Sequence, residues 1–167
     1  MKATGLPRRG FSLMNRTRVR GWVLVGGQTV LLGFLILGPA DHAWSVPQPL
    51  RMAGQLLRWV GVGAVAIGAL RLGRAASVHP EPTSRAALRT DGPYRFVRHP
   101  IYSGVLLFAA SVAGTSGSAP DVLAFAALAA LLFSKARVEE RLLAQRFAGY
   151  RAYAEATPRF VPGLRRR

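Results

Sequence analysis

The 167-residue sequence contains no cysteine and has few histidines and few acids. Without cysteine the chain can form no disulfide, no thiolate metal site and no cysteine nucleophile. The three histidines, His42, His79 and His99, lack the spacing of metal ligands, so we expect no metal site. Only 7 Asp and Glu stand against 23 Lys and Arg, which gives a formal net charge of +16.

Despite this charge the chain is hydrophobic, with half of its residues apolar and a mean hydropathy of +0.22. The apolar residues are gathered into runs rather than spread at helical spacing, which is typical of membrane helices. The runs cover residues 21–40, 54–73, 101–114 and 122–133. The last two are short, so core helices or a re-entrant hairpin are alternatives. With their small polar flanks, 100–117 and 119–134, they favour a tight hairpin that crosses and returns.

The sequence therefore predicts an all-α, polytopic membrane protein with about four transmembrane helices, the third and fourth forming a tight hairpin, and a cytoplasmic C-terminal helix. We expect one domain over residues 1–167. It divides into a basic cytoplasmic tail (1–20), two N-terminal helices with their loop (21–87) and a cofactor-binding core (88–162). No A-x-A-like cleavage site ends the first apolar run, so we expect that run to be retained. Close helix packing is predicted at the small residues Gly61, Gly63, Ala64 and Gly68 of the second run.

The placement of charge predicts the orientation. All Lys and Arg except Arg51 and Arg58 fall in residues 1–20, 71–98 and 135–167. Because cytoplasmic loops are enriched in Lys and Arg, we expect both termini and the second loop on the cytoplasmic side, in a bacterial inner membrane. Attraction to anionic lipid then accounts for the net charge, and the chain carries no DNA-binding or RNA-binding motif. We expect no nucleic-acid partner.

The segment LRTDGPYRFVRHPIYSG, residues 88–104, joins a polar turn directly to the third apolar run. Pro100 suits the first position of a helix, because it has no N–H to lose and its φ is already helical. His99 then lies just outside the helix, and Tyr102 lies three positions on. The unpaired N–H groups of a helix start favour an anion, and the segment adds aromatic rings and arginines. A structural helix start is the alternative interpretation.

A second group of charged residues follows the hairpin. Lys135 and Glu139 are four residues apart on one helical stripe, and Glu140 lies on the neighbouring face. A solvated helix with surface ion pairs would explain this segment taken alone. The topology, however, places it on the same side as residues 88–99. We therefore predict that a carboxylate here takes a ribose hydroxyl pair or an ammonium group.

RHPIYSG, followed after one hairpin by KARVEERLLAQRFAGYRAYAEATPRFVP, resembles the isoprenylcysteine carboxyl methyltransferase and phospholipid methyltransferase family. These are integral membrane enzymes that use S-adenosylmethionine, and the resemblance covers residues 88–162. It implies cofactor contacts at the residues that match the family's blocks: Leu88, Arg89, Tyr94, Arg98, His99, Pro100, Ile101, Tyr102 and Glu139. Lys135 stands where the eukaryotic prenyl-protein enzymes have a substrate-site arginine. The resemblance therefore implies a substrate-binding cation, but one that cannot form the two parallel hydrogen bonds of an arginine with a carboxylate.

The implied function is S-adenosylmethionine-dependent methyl transfer at the cytoplasmic face. The expected partners are the bilayer and an amphiphilic acceptor: an isoprenylcysteine-like carboxylate, an isoprenoid acid or a phospholipid amine. A carboxylate acceptor is already ionised, so positioning would suffice without a catalytic residue. An amine or thiol would need a base, for which Glu140, Glu139 and His99 are candidates. The alternative function is a non-catalytic membrane scaffold or assembly protein that retains the fold.

Overall fold

The structure is a computed structural model that describes residues 9–38, 43–73 and 88–163, with side chains from residue 21 onward. This part of the chain consists of five α-helices and a short 3-10 helix, with no β-strand, which confirms the all-helical prediction. The helices are α1 (Arg9–Leu37), α2 (Gln48–Leu72), the 3-10 helix (Gly92–Arg95), α3 (Pro100–Ser116), α4 (Ala119–Arg146) and α5 (Tyr150–Ala156). The first eight residues of the predicted basic tail, most of the second loop and the last four residues lie outside the described residues.

Two of the described helices, α2 and α4, are long and apolar enough to cross a membrane, with mean hydropathies of 1.4 and 1.5 over their most apolar windows. The apolar parts of the other two long helices, Gly21–Leu37 and Pro100–Ser116, are shorter. At 1.5 Å per residue, α3 is about 26 Å long against a hydrocarbon core of about 30 Å. Four complete crossings therefore stay a prediction.

Helix α2 turns large apolar side chains outward. Leu56, Trp59 and Leu70 are 69%, 71% and 81% exposed. A surface of this kind is costly in water but suits contact with lipid or another apolar partner. The exposed face of α2 agrees with a membrane protein.

The opposite face of α2 packs closely on α3 through glycines spaced seven residues apart, Gly54, Gly61 and Gly68, all buried. A Cβ on Gly61 would lie 2.7 Å from the carbonyl oxygen of Gly104 in α3, and one on Gly104 would lie 2.6 Å from that of Gly61. The two backbones therefore cross where neither helix carries a side chain. This confirms close packing at Gly61 and Gly68, whereas Gly63 faces open space and its prediction was wrong.

The buried core lies between α1, α3 and α4 and is formed by Leu35, Ala109, Ala124, Leu128 and Leu132. At the end of the bundle where α3 meets α4, the N–H of Ala43 donates to the carbonyl oxygen of Gly117 at 2.8 Å. The α1–α2 connection and the α3–α4 turn thus meet at one end. The start of α3 and the end of α4 lie at the other.

The predicted boundary between the fourth apolar helix and a separate C-terminal helix was wrong. Helix α4 runs without interruption from Ala119 to Arg146. No Gly or Pro occurs between Pro120 and Gly149, so nothing in the sequence breaks the helix at Ser134. The chain leaves the helix only at Phe147 and resumes in the short α5. The acid pair therefore lies on a rigid extension of the hairpin.

Candidate functional site

His99 is the N-cap residue of α3, and Pro100 occupies the first turn, as the sequence predicts. The chain beyond α5 runs back along this helix start. The N–H groups of Arg98 and His99 donate to the carbonyl oxygens of Pro158 and Arg159 at 2.9 and 3.1 Å. We call residues 157–160 the C-terminal strap. Its backbone fixes the segment that carries the histidine.

A side-chain hydrogen bond from Ser103 of α3 also holds the strap. Ser103 Oγ lies 2.7 Å from the carbonyl oxygen of Phe160 and 3.0 Å from that of His99. The Phe160 ring is buried and packs on His99 with 5.8 Å between centroids. The sequence around Phe160 does not predict this contact, which depends on the return of the chain beyond α5.

The His99 ring is buried and brings the acid pair of α4 to the mouth of α3. Its Nε2 lies 3.1 Å from Oε1 of Glu140, and its Nδ1 lies 3.7 Å from Oε2 of Glu139. The ring stacks on Tyr102 in parallel, with 5.2 Å between centroids and an interplanar angle of 1°. The segment around His99 and the acid pair of α4 are therefore in contact, as the sequence predicts. We call His99, Tyr102, Glu139, Glu140 and Arg159 the His99 cluster.

Glu140 is the charge-bearing centre of this cluster. Arg159 of the strap donates from Nε to Oε1 at 2.8 Å and from Nη2 to Oε2 at 2.5 Å, a bidentate arrangement. Nη2 of Arg98 lies 3.4 Å from Oε1. The hydrogen bond to Glu140 raises the pKa of Arg159. Both oxygens of Glu140 are therefore engaged by protein groups, and only 12% of the side chain is exposed.

Glu139 is held more loosely. The hydroxyl of Tyr102 donates to its Oε2 at 3.0 Å, and 30% of its side chain is exposed. Among the described residues no arginine or lysine lies within ion-pair distance of this carboxylate. Since an ionised carboxylate has about four acceptor positions, Glu139 keeps capacity for further donors. It is the acid of the pair that can still bind a ligand.

Tyr94 joins the 3-10 helix to the packed helices. Its hydroxyl donates to the carbonyl oxygen of Gly68 in α2 at 3.4 Å, and its own carbonyl accepts from the Tyr153 hydroxyl at 2.6 Å. Burial, followed by the nearby charge of Glu139, raises the pKa of Tyr94 to about 12. Burial likewise raises the pKa of Tyr153 to about 12, although Arg98 opposes this. Both phenols are neutral donors at physiological pH.

Lys135 lies one turn before Glu139 and is only 1% exposed. Its Nζ donates to Oε1 of Gln28 in α1 at 2.9 Å and lies 5.4 Å from the centre of the Tyr102 ring. The predicted substrate cation therefore sits inside the bundle beside the His99 cluster. Gln28 was missed, because a single amide in an apolar run carries no sequence signal.

The remaining predicted cofactor contacts are Leu88, Arg89, Pro100 and Ile101. Ile101 and Pro100 face Gly68 of α2, where a Cβ would lie 2.8 Å from Cγ1 of Ile101. Leu88 is half-buried and Arg89 is exposed, both ahead of the 3-10 helix. They are not part of the hydrogen-bonded cluster. Arg159 was missed as well, because it lies in the strap and its partner lies 19 residues earlier, in α4.

The described residues contain no group of three or more His, Asp or Glu arranged to hold a metal ion. Arg98 and Arg159 already contact the oxygens of Glu140. The cluster and the adjacent Lys135 instead combine an available carboxylate, a buried cation and aromatic faces. Such a set suits an organic ligand that carries both positive and polar groups.

Comparison with known proteins gives one family and two named relatives. The phospholipid methyltransferase family matches residues 50–149. The chain is 31% identical to the cobalt-zinc-cadmium resistance protein CzcN of Cupriavidus metallidurans, across 96% of this chain and 70% of that protein. It is also 31% identical to the nickel-cobalt-cadmium resistance protein NccN of Alcaligenes xylosoxydans xylosoxydans, across 92% of this chain and 68% of that protein.

Proposed function

This chain belongs to the phospholipid methyltransferase family, and we propose that it transfers a methyl group from S-adenosylmethionine to an amphiphilic acceptor at the membrane surface. The observation that carries the proposal is the Glu139 carboxylate. It is fixed by Tyr102 at the mouth of α3, beside His99, and still has acceptor capacity. Membership of the family supports the methyl-transfer chemistry.

The chemistry of the donor set fits S-adenosylmethionine. We assign Glu139 to its ribose hydroxyls or ammonium group, since a carboxylate accepts from both. The first N–H groups of α3 and the nearby guanidinium of Arg98 suit its carboxylate. Tyr94 and Tyr102 supply aromatic faces for its adenosine or sulfonium part. When bound, the cofactor supplies an electrophilic methyl group on a positively charged sulfur.

The protein's own residues then act mainly by positioning. The strap and the Arg159–Glu140 pair hold His99 in place, so the mouth of α3 needs little reorganisation on binding. Because both Glu140 oxygens are engaged by Arg159, His99 and Arg98, we assign Glu140 to support rather than to proton removal. For an amine or thiol acceptor, Glu139 is the base we favour.

Lys135 is the residue we assign to the acceptor. Its buried ammonium lies beside Tyr102 and one turn from Glu139, so an anionic acceptor placed there would gain charge pairing in a dry environment. A lysine acts as a point charge, which accepts a carboxylate or a phosphate without fixed bidentate geometry. We accordingly propose an anionic amphiphile as the acceptor, entering from the bilayer. The Lys and Arg distribution supports a cytoplasmic location for this end in a bacterial inner membrane.

The first experiment is S-adenosylmethionine binding by calorimetry on detergent-purified protein. Wild type should bind saturably, and His99→Ala and Glu139→Ala should each weaken binding by about 10-fold or more. Glu155→Ala is the matched control, because Glu155 is an exposed acid on α5. Circular dichroism should show an unchanged helix content in all variants. Absence of binding by wild type, both in detergent and in nanodiscs, would contradict the proposal.

A second candidate function is a part in divalent-metal resistance, which the names of the two relatives favour. Growth on cobalt, zinc and cadmium salts would test it in a strain that lacks the chain. If wild type restores growth but Glu139→Ala does not, resistance depends on the cofactor site. If both restore growth, the chain acts in resistance as a non-catalytic scaffold. If neither does, this second function is wrong.

A further inference from the structure

A polar cavity of about 370 Å³ lies at the loop end of the bundle, where the α1–α2 and α3–α4 connections meet. Its charged lining consists of Arg51 and Arg58 of α2 and Asp121 of α4. The rise of an α-helix places Asp121 about 27 Å from Glu139 along α4. The cavity is therefore remote from the His99 cluster, and the proposed methyl transfer makes no use of it.

Arg58 is the unusual residue of this cavity, because it lies within a helix long and apolar enough to span a membrane. Its Nε lies 3.4 Å from Ser111 Oγ, and its Nη2 lies 3.3 Å from Thr115 Oγ1. A guanidinium has five N–H donors, so two hydroxyls leave most of them unused. In the described part of the chain no carboxylate lies within ion-pair distance of Arg58. A charge at such a position is expensive and marks a functional site unless it is paired.

Arg51 lies seven residues earlier on the same stripe of α2 and faces the same cavity. Its side chain is exposed and makes no ion pair or hydrogen bond with the described residues. With Asp121 opposite, the charged lining sums to one positive charge. That value complements the single negative charge of a phosphodiester.

An apolar cavity of about 310 Å³ adjoins the polar one, and Ile36 of α1 lines both. Its walls are formed by α1, α2 and α3, through side chains such as Leu32, Val62 and Phe108. The exposed surface of these walls is entirely apolar. A free phosphate would have no use for such a compartment. An acyl chain attached to the phosphate would fill it and gain van der Waals contacts with its apolar walls.

We propose that the two cavities together bind one phospholipid that is not the methyl acceptor. Its phosphate lies against Arg51 and Arg58, and one acyl chain lies in the apolar cavity between α1, α2 and α3. The lipid thus ties the loop ends of three helices together at the end opposite the reaction site.

Native mass spectrometry on detergent-purified protein tests the proposal with phosphatidylglycerol as the probe. One lipid should bind per chain, and Arg58→Ala should weaken its Kd by about 10-fold or more, the size expected for charge-assisted hydrogen bonds. Arg51→Ala, a second variant that leaves the Ser111 and Thr115 contacts of Arg58 in place, should also weaken the Kd. Arg137→Ala, an exposed arginine of α4, is the control and should leave the Kd unchanged.

Two further ligands and one further variant separate the sources of binding. Diacylglycerol with the same acyl chains lacks the phosphate, and inorganic phosphate lacks the chains, so both should bind at least 10-fold more weakly than phosphatidylglycerol. Val62→Trp should fill the apolar cavity and weaken the lipid while leaving inorganic phosphate unchanged. Equal binding of diacylglycerol, unaffected by the arginine variants, would overturn the proposal. If inorganic phosphate binds as tightly as phosphatidylglycerol, the site binds a free anion and the lipid proposal is wrong.

Discussion

Glu140→Gln should destabilise the protein far more than Glu139→Gln, although the two acids are adjacent on α4. The Glu140 carboxylate contacts Arg159, Arg98 and His99, and its side chain is 12% exposed. Removing one partner of such a buried pair costs about 3–5 kcal/mol, because the remaining charges lose their compensation. Glu139 accepts one hydrogen bond, from the neutral Tyr102 hydroxyl, lies 3.7 Å from His99 Nδ1 and has a 30% exposed side chain, so its loss should cost about 1 kcal/mol.

The assay is the thermal midpoint of unfolding in a mild detergent, followed by circular dichroism. For a chain of this size, about 3 kcal/mol lowers the midpoint by about 10 °C. Glu140→Gln should show a shift of at least that size, and Glu139→Gln a shift of a few degrees. Glu155→Gln is the control for an exposed acid and should stay within about 0.5 kcal/mol of wild type.

Ligand affinity should rank the same two variants in the opposite order. Glu139→Gln should weaken S-adenosylmethionine binding by about 10-fold, since it removes the charge that we assign to the ligand. Glu140→Gln, measured below its midpoint, should weaken binding less. Equal midpoint shifts for the two variants, or loss of affinity only in Glu140→Gln, would refute this division between a supporting acid and a binding acid.

Three other outcomes follow from the packing and the buried phenols. Gly61→Ala should lower the stability by about 1–3 kcal/mol, seen as a lower thermal midpoint, because its Cβ would lie 2.7 Å from the Gly104 carbonyl oxygen. Gly63 faces open space, so Gly63→Ala should be neutral or stabilising. Ser103→Ala should loosen the C-terminal strap by about 1 kcal/mol, seen as faster hydrogen exchange at residues 157–160, and unchanged exchange there would contradict its role. The raised pKa of Tyr94 gives stability that is complete below pH 10 and is lost as pH rises toward about 12, so phenolate absorbance should appear at higher pH in native than in denatured protein.

Local rules predicted the features of the His99 cluster that depend on neighbouring residues. Pro100 fixed the start of α3, and the proline after His99 placed the imidazole at the helix mouth. The meeting of His99 with the acid pair followed from one further step, a hairpin that returns the chain to the same side. These predictions needed only periodicity, helix-start chemistry and the direction of the chain.

Features formed by distant residues could not be predicted in this way. The strap bonds residues 98 and 99 to 158 and 159, and the sequence in between gives no register for that pairing. Arg159 is one of many arginines, and only the return of the chain beyond α5 selects it for Glu140. Similarly, Gln28 meets Lys135 only because α1 packs on α4. Such contacts depend on tertiary packing rather than on local propensity.

The architecture explains why the candidate site can be fixed outside the apolar part of the bundle. The glycine crossing of α2 and α3 sets the position of the α3 start, because Gly61 and Gly104 allow no alternative spacing without a clash. Helix α4 extends about three turns beyond Ser134, and this rigid extension places Glu139 and Glu140 beside the start of α3. The strap then closes the arrangement through Arg159, which leaves Glu139 as the acid with spare acceptor capacity. Each element is anchored independently, so the binding geometry can persist at a surface where water would weaken isolated ion pairs.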